Sequence, residues 1–216
     1  NNAFLYEGMY LGFLTCYHTR AGDLLDTRLI CSRNGRDWSL VSDDPILPLG
    51  RPDADFDCGW VDVANNAPYR IGDELRIYYD GRNANHATLG LGAIGIATLR
   101  LDGFAALEAG RSGGTLTTQP FRMEGDALFV NADASRGRLT VRVLDRAGKT
   151  LGDDLSAVSD PIASDNVRHQ ATWGGRTSLA PLKGRVISLR FDLSQAKLFA
   201  FQAATDPLAC AAVTLR

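Results

Sequence analysis

The chain carries one pattern twice, first as YEGMYLGF at residues 6–13 and again about 68 residues later as ELRIYYDG at residues 74–81. A histidine follows each copy, His18 and then His86, and a glycine turn follows each histidine, at Gly35 and at Gly103. Short strands and turns that repeat at this length are typical of β-propeller blades. Since two blades cannot close a ring of about four to eight, we expect a piece of a larger protein or a chain completed by a partner.

The composition is that of a globular protein with room for one large or two small domains, with 216 residues, 45% hydrophobic and 22% charged. The formal net charge of −2 provides no basic surface for nucleic acid. No apolar run approaches the ~18 residues that span a bilayer, and the first residues lack the basic-then-apolar pattern of a signal peptide. We therefore expect neither a nucleic-acid partner nor a membrane partner.

The two halves of the chain differ in strand pattern. The first half alternates apolar strands with turns, including the hairpin-forming Asn34-Gly35, and its strand candidates are 9–17, 27–32, 59–63, 75–79 and 92–101. After the flexible segment 111–114, apolar and polar residues alternate regularly, at 128–132, 139–144, 186–193 and 197–201. The prediction is an all-β protein: about two blades of an incomplete propeller over residues 1–110, then an antiparallel β-sandwich over residues 111–216.

The four cysteines, Cys16, Cys31, Cys58 and Cys210, form neither a Cys-x-x-Cys pair nor a Cys/His metal spacing. Cys16 and Cys31 fall on strand candidates, where a small buried hydrophobe is the simplest interpretation. The serine-hydrolase elbow, the Walker loop and the His-Glu-x-x-His motif are all absent from the sequence. These patterns predict no metal centre.

These features resemble a group of bacterial proteins related to the five-bladed propeller glycoside hydrolases, among them the invertase-like family 32 and the arabinofuranosidase-like family 43. The similarity covers roughly residues 3–202. Its motifs are YEGMY at 6–10, SRNGRDW at 32–38, FDCG at 56–59, IYYDG at 77–81 with His86, AIGIATLRLDGF at 93–104 and GGTLTT at 113–118. The segment 203–216 has no counterpart in this pattern.

The resemblance covers only the C-terminal portion of the family pattern. It implies a carbohydrate partner and a secreted or periplasmic location. The N-terminal blades, where such enzymes keep the carboxylate that acts as nucleophile or base, are missing, so we expect the chain alone to lack activity. Central metal ions, often calcium, occur in some of these propellers, but the sequence shows no ligand set and we predict no cofactor.

Glycoside hydrolysis needs two carboxyl groups across the scissile bond, and two residues are predicted to be catalytic. Glu7 stands at the start of an inner-strand pattern, between Tyr6 and Gly8, and is predicted to be the acid. The alternative for Glu7 is a solvated residue at a strand edge. Asp57 lies in a Phe-Asp-x-Gly motif that faces the funnel in similar proteins, and the alternative is an aspartate that caps a turn.

Five further residues are predicted to contact the sugar: Asp80, His86, Trp60, Asp62 and His18. Asp80 and His86 flank the polar loop 81–85, which either hydrogen-bonds sugar hydroxyls or is an ordinary hairpin turn. Trp60 can stack on a sugar face. His18 matches His86 in the repeat, which suits a structural histidine as well as a sugar contact.

Two classes of function stay open. A carboxylate pair roughly 5–10 Å apart favours a glycoside hydrolase-like protein. Aromatic residues exposed on one face of the sandwich favour a non-catalytic carbohydrate-binding or interaction module. In either case the open blades leave edge strands that can pair with another copy, so we also expect a homo-oligomer.

Overall fold

The computed structural model describes residues 2–151 and 158–205, and the chain divides into two compact units, Asn1–Phe104 and Ala105–Arg216. Within the described ranges the helical segments are two three-residue 3-10 turns, Thr19–Ala21 and Ala180–Leu182. No helix in these ranges is long and apolar enough to cross a membrane. The all-β prediction is therefore confirmed. Cys210 and residues 206–216 of the tail lie outside the described residues.

The first half of unit 1 is an antiparallel meander of β1 (Asn2–Tyr6), β2 (Met9–His18), β3 (Leu24–Ser32) and β4 (Ser39–Leu40), paired in chain order. Glu7 and Gly8 form the two-residue turn between β1 and β2, with φ of 45° and 77°. Two positive φ angles are what a type I′ hairpin turn requires. The Asn34-Gly35 segment forms the predicted turn before β4, where the Asn34 Oδ1 accepts the Asp37 N–H at 2.9 Å.

The second half of unit 1 is centred on a single long strand. It contains β5 (Trp60–Val63), β6 (Tyr69–Ile71), β7 (Glu74–Arg82) and β8 (Gly92–Arg100). β5 and β6 pair with one edge of β7 and β8 pairs with the other, all antiparallel. One parallel contact, Leu25 with Trp60, joins this half to the first. The assignment of the two halves to propeller blades remains a prediction.

A small apolar core joins the two halves of unit 1. Phe13 and Leu29 from the first half pack with Val63 and Ile77 from the second. The hydroxyl of Thr27, which is buried, donates to the Val61 carbonyl at 3.1 Å. Since successive side chains of a strand alternate between its two faces, the inward direction of Val61 and Val63 turns Trp60 and Asp62 to the other face of β5.

Unit 2 is a two-layer β structure. Its strands are β9 (Leu107–Ala109), β10 (Gly114–Thr117), β11 (Phe121–Arg122), β12 (Ala127–Asp133), β13 (Arg138–Leu144), β14 (Asp165–Gln170), β15 (Val186–Ser194) and β16 (Ala196–Ala204). One sheet groups β10, β11 and β13 around β15, and the other has the order β14-β12-β16-β9. Both sheets contribute to one core, in which Val130, Val141 and Phe191 are fully buried.

Candidate functional site

The register of β5 and β7 places four polar or aromatic side chains on one face. Trp60 lies opposite Arg82, and Asp62 lies opposite Asp80. Directly paired residues of an antiparallel ladder share a face, and their Cβ atoms are about 4.5–5.5 Å apart. The sequence therefore folds two aspartates, separated by 18 positions along the chain, into one neighbouring pair.

Both carboxylates of this pair are held by hydrogen bonds. The Thr15 hydroxyl of β2 donates to the Asp62 Oδ1 at 2.7 Å. The Arg82 Nε donates to the Asp80 Oδ2 at 2.9 Å. Each aspartate is half-buried, so each keeps a surface that water or a ligand can reach. The pair is thus positioned from two directions while remaining accessible.

An aromatic and cationic group continues the cluster from Trp60. The His86 ring stacks on the indole with centroids 5.2 Å apart and planes at 21°. The Arg82 guanidinium carbon lies 4.5 Å from the indole centroid, a cation–π distance. The Trp60 indole therefore contacts two protein side chains, His86 and Arg82, and Arg82 also donates a hydrogen bond to Asp80. The indole N–H of Trp60 is buried, with no acceptor within the described part of the chain.

Tyr17 completes this group from β2. Its ring centroid is 5.1 Å from that of His86, and its side chain is 48% exposed. The Tyr17 hydroxyl donates to the Asp23 Oδ1 at 2.8 Å, a hydrogen bond that raises the pKa of the tyrosine. The backbone N–H of His86 donates to the Asp23 carbonyl at 2.9 Å. We define the Asp62–Asp80 cluster as Tyr17, Trp60, Asp62, Asp80, Arg82 and His86.

Asn83 and Asn85, in the loop after β7, form hydrogen bonds that stabilise the conformation of this loop. The Asn83 Oδ1 accepts the Leu91 N–H at 2.9 Å. The Asn85 amide donates to the Gly22 carbonyl at 3.0 Å, and its oxygen accepts the Thr88 hydroxyl at 2.8 Å. These contacts favour the turn interpretation for the asparagines, and they fix the segment that carries His86.

Asp57 lies on the opposite face of β7 from this cluster. The Tyr79 hydroxyl donates to the Asp57 Oδ2 at 2.8 Å, and Tyr79 packs against the core that contains Val63 and Ile77. Burial, followed by the hydrogen bond to Asp57, raises the pKa of Tyr79 to about 12. The structure does not bring Asp57 together with Asp62 and Asp80, and its catalytic role stays a prediction.

His18 also faces away from the cluster. It pairs with Leu24 across β2 and β3, on the face opposite to that of Tyr17 because the two residues are adjacent on one strand. The His18 Nε2 lies 3.0 Å from the Asp26 Oδ2, and the Arg28 Nε lies 3.6 Å from the Asp26 Oδ1. This arrangement favours the structural interpretation of His18.

Glu7 lies at the far end of β2. The sequence pattern indicated an inner strand, but the structure places Glu7 in the β1–β2 turn, because the chain reverses there with positive φ at both turn residues. The ten residues of β2 separate this turn from Tyr17 and His18 by about 30 Å at 3.4 Å per residue. No single sugar ring contacts both places, so Glu7 is not part of the cluster, and its predicted role as the acid has no support from position.

The structure thus brings together Trp60, Asp62, Asp80 and His86 out of the seven predicted residues. Thr15 and Tyr17, which also contact this group, were not among the predicted residues. Both lie on the same face of β2 as the core residue Phe13, at intervals of two residues, and this spacing is the one signal in the sequence that pointed to them. This spacing does not show which later strand packs beside Thr15 and Tyr17.

Metal ligation is not supported by the side chains present. Among residues 2–151 and 158–205, no group of three His, Cys, Asp or Glu side chains is arranged to hold an ion. Cys16, Cys31 and Cys58 are free thiols.

Comparison of the sequence with protein-family models gives no match, and comparison with curated proteins gives none. Among solved structures, the chain is similar to a glycoside hydrolase family 43 arabinoxylan arabinofuranohydrolase from Bacillus subtilis, crystallised with cellotetraose. The identity is 12%, the TM-score is 0.27, and the alignment covers 95% of this chain and 53% of that one. The chain thus spans about half the length of that structure. At this identity and TM-score the likeness assigns neither a family nor an activity.

Proposed function

We propose that the chain is the carbohydrate-engaging portion of a glycoside hydrolase-like protein and that the Asp62–Asp80 cluster contacts the sugar. The observation that carries the proposal is the pairing of Asp62 with Asp80 on one face of β5 and β7. Cβ atoms about 5 Å apart allow the carboxyl groups to approach the 5–10 Å separation used by glycosidases. The sequence motifs that resemble propeller glycosidases support the same class.

The partners of the two aspartates suggest their roles. Asp80 is paired with the cationic Arg82, which suits the carboxylate that attacks the sugar or activates water. Asp62 is hydrogen-bonded by the neutral Thr15 hydroxyl, which suits the group that protonates the leaving oxygen. In this proposal the pair takes the roles that the sequence had predicted for Glu7 and Asp57.

Binding would come from the side chains around the pair. Tyr17 presents an exposed ring on which the apolar face of a sugar can stack. His86 and Arg82 supply N–H donors beside that ring for sugar hydroxyls. A non-catalytic binding module remains the second candidate, because the exposed Tyr17 and His86 pair would serve binding without any carboxylate chemistry.

Hydrolysis of a panel of aryl glycosides of common hexoses and pentoses tests the proposal, together with equilibrium binding of the free sugars. For a sugar that is turned over, Asp62→Asn and Asp80→Asn should each lower kcat by about 10²-fold or more, because positioned acids and bases contribute on that scale. Glu7→Gln is the matched control at the other end of β2, and its kcat should be unchanged.

The outcomes separate the candidates. Binding that Tyr17→Ala abolishes, without any turnover by the parent chain, supports the binding module. Turnover that survives both aspartate substitutions, or that Glu7→Gln abolishes, contradicts the assignment of the pair. Absence of both turnover and binding across the panel rejects the carbohydrate proposal.

A further inference from the structure

β8 is an edge strand with an unusual composition for an edge. Among the described residues it pairs with β7 and with no other strand. Its nine residues, GAIGIATLR, contain no proline, lysine or acidic residue, and Arg100 at the end is its single charge. Edge strands commonly carry such residues, or a bulge, because an open row of backbone N–H and C=O groups templates pairing with another chain.

The exposed side chains beside this edge are large and apolar. Ile94 is 80% exposed and Ile96 is 52% exposed, and both point to the same face because they are two residues apart. Leu91, just before the strand, is 79% exposed. With Leu89 these side chains leave on the order of 500 Å² of apolar surface, against about 800 Å² per partner in a standard interface.

We infer that β8 pairs with β8 of a second copy of the chain, antiparallel and about a twofold axis at Ile96, to form one sheet that runs through both copies. This inference does not depend on the proposed glycan site. Ile96 is the central residue of Gly92–Arg100, so a register centred there pairs the whole strand. Ile94 then lies opposite Thr98 of the second copy, and the two Ile96 side chains lie side by side.

The position of the one charged residue favours this register, and the apolar edge favours a second copy of the chain as the partner. A twofold axis at Ile96 places Arg100 opposite Gly92 of the other copy, so the two arginines stay at opposite ends of the paired strands. A second copy supplies an extended apolar edge of the same length, and an isologous contact of this kind closes after two subunits.

Sedimentation velocity of the full chain over a wide concentration series tests the inference. The parent chain should show a reversible monomer–dimer equilibrium. Ile96→Lys should raise the dimer dissociation constant roughly tenfold or more, because two lysines would face each other across the axis. Where far-UV circular dichroism shows that Ile96→Lys is not folded, Ile94→Lys replaces it, since that side chain is largely in solvent.

Ile71→Lys is the matched control. Ile71 is 50% exposed and lies on β6, on the same face as Ile96 but with β7 between it and β8. The Ile71→Lys substitution makes the same change in charge away from the β8 edge, so the dimer dissociation constant should stay close to that of the parent chain. A parent chain that is monomeric at every concentration overturns the inference. An Ile71→Lys effect as large as that of Ile96→Lys, or open-ended association, also overturns pairing through the edge.

Discussion

At the residue scale, the chemistry of the candidate site depends on which side chains share a face. Asp62 and Asp80 were each visible in the sequence as polar residues at strand positions, but their pairing follows from the register of β5 and β7. A shift of one residue would turn Asp80 to the core and bring Gly81 or Tyr79 opposite Asp62. Register depends on contacts between distant segments, so a single sequence shows the candidate residues without showing the pair.

Asp160 in unit 2 gives a prediction about pH. Its carboxylate accepts hydrogen bonds from the Thr172 hydroxyl at 2.6 Å and from the Gly175 and Gly174 N–H groups at 2.8 and 3.1 Å. These bonds, that of Thr172 first, lower the pKa of Asp160. A carboxyl group with a lowered folded-state pKa stabilises the fold above the unfolded-state value, about 3.9, and loses that contribution as the pH falls through the folded-state value.

Asp160→Asn should therefore lower the Tm near neutral pH, and the difference from the parent chain should shrink as the pH falls below about 4. Thermal unfolding followed by circular dichroism over a pH series measures this. Asp43→Asn, at an exposed loop position, is the control and should leave the Tm unchanged throughout. A Tm difference for Asp160→Asn that stays constant down to the lowest pH would show that the carboxylate charge is not involved.

At the element scale, long alternating strands were predicted well and short or turn segments were not. The regular alternation in β13 and β15 located those strands to within one residue of the observed bounds. Seven strands went unpredicted because they are short or largely exposed and are held in place by their pairing partners: β1, β4, β6, β9, β10, β11 and β14. Glu7 is another example, because the sequence around it is typical of a strand while the residue itself lies in a two-residue turn.

The β1–β2 turn gives a prediction about stability. Gly8 has φ of 77° and no atom within 4 Å of an added Cβ, so Gly8→Ala is opposed by backbone conformation alone. It should lower the free energy of unfolding by about 1 kcal/mol, as measured by urea denaturation. Gly110→Ala is the control, because Gly110 has equal space without a positive φ. Its free energy of unfolding should stay the same or rise slightly. Equal effects of the two substitutions would show that the turn conformation does not matter.

At the scale of the whole molecule, every residue of the Asp62–Asp80 cluster belongs to unit 1, and unit 2 has a two-layer core of its own. Both candidate functions are therefore assigned to side chains of unit 1. The sequence indicated an all-β chain with a change of pattern near residue 110, because composition and alternation are local. Which strand faces meet depends on contacts between distant segments, and so Thr15 and Tyr17 were not recognised from the sequence.

The three tryptophans of the chain allow one measurement to test the central proposal. Trp60 belongs to the cluster, Trp38 lies in the loop at the Glu7 end of unit 1, and Trp173 is buried in the core of unit 2. We would titrate the ¹⁵N-labelled chain with the sugar panel and follow the three indole N–H resonances by NMR. A saturable shift of the Trp60 resonance alone, lost in Tyr17→Ala and kept in Glu7→Gln, is the predicted result. A shift confined to Trp173 or Trp38, or none at all, would contradict the assignment of the Asp62–Asp80 cluster as the sugar site.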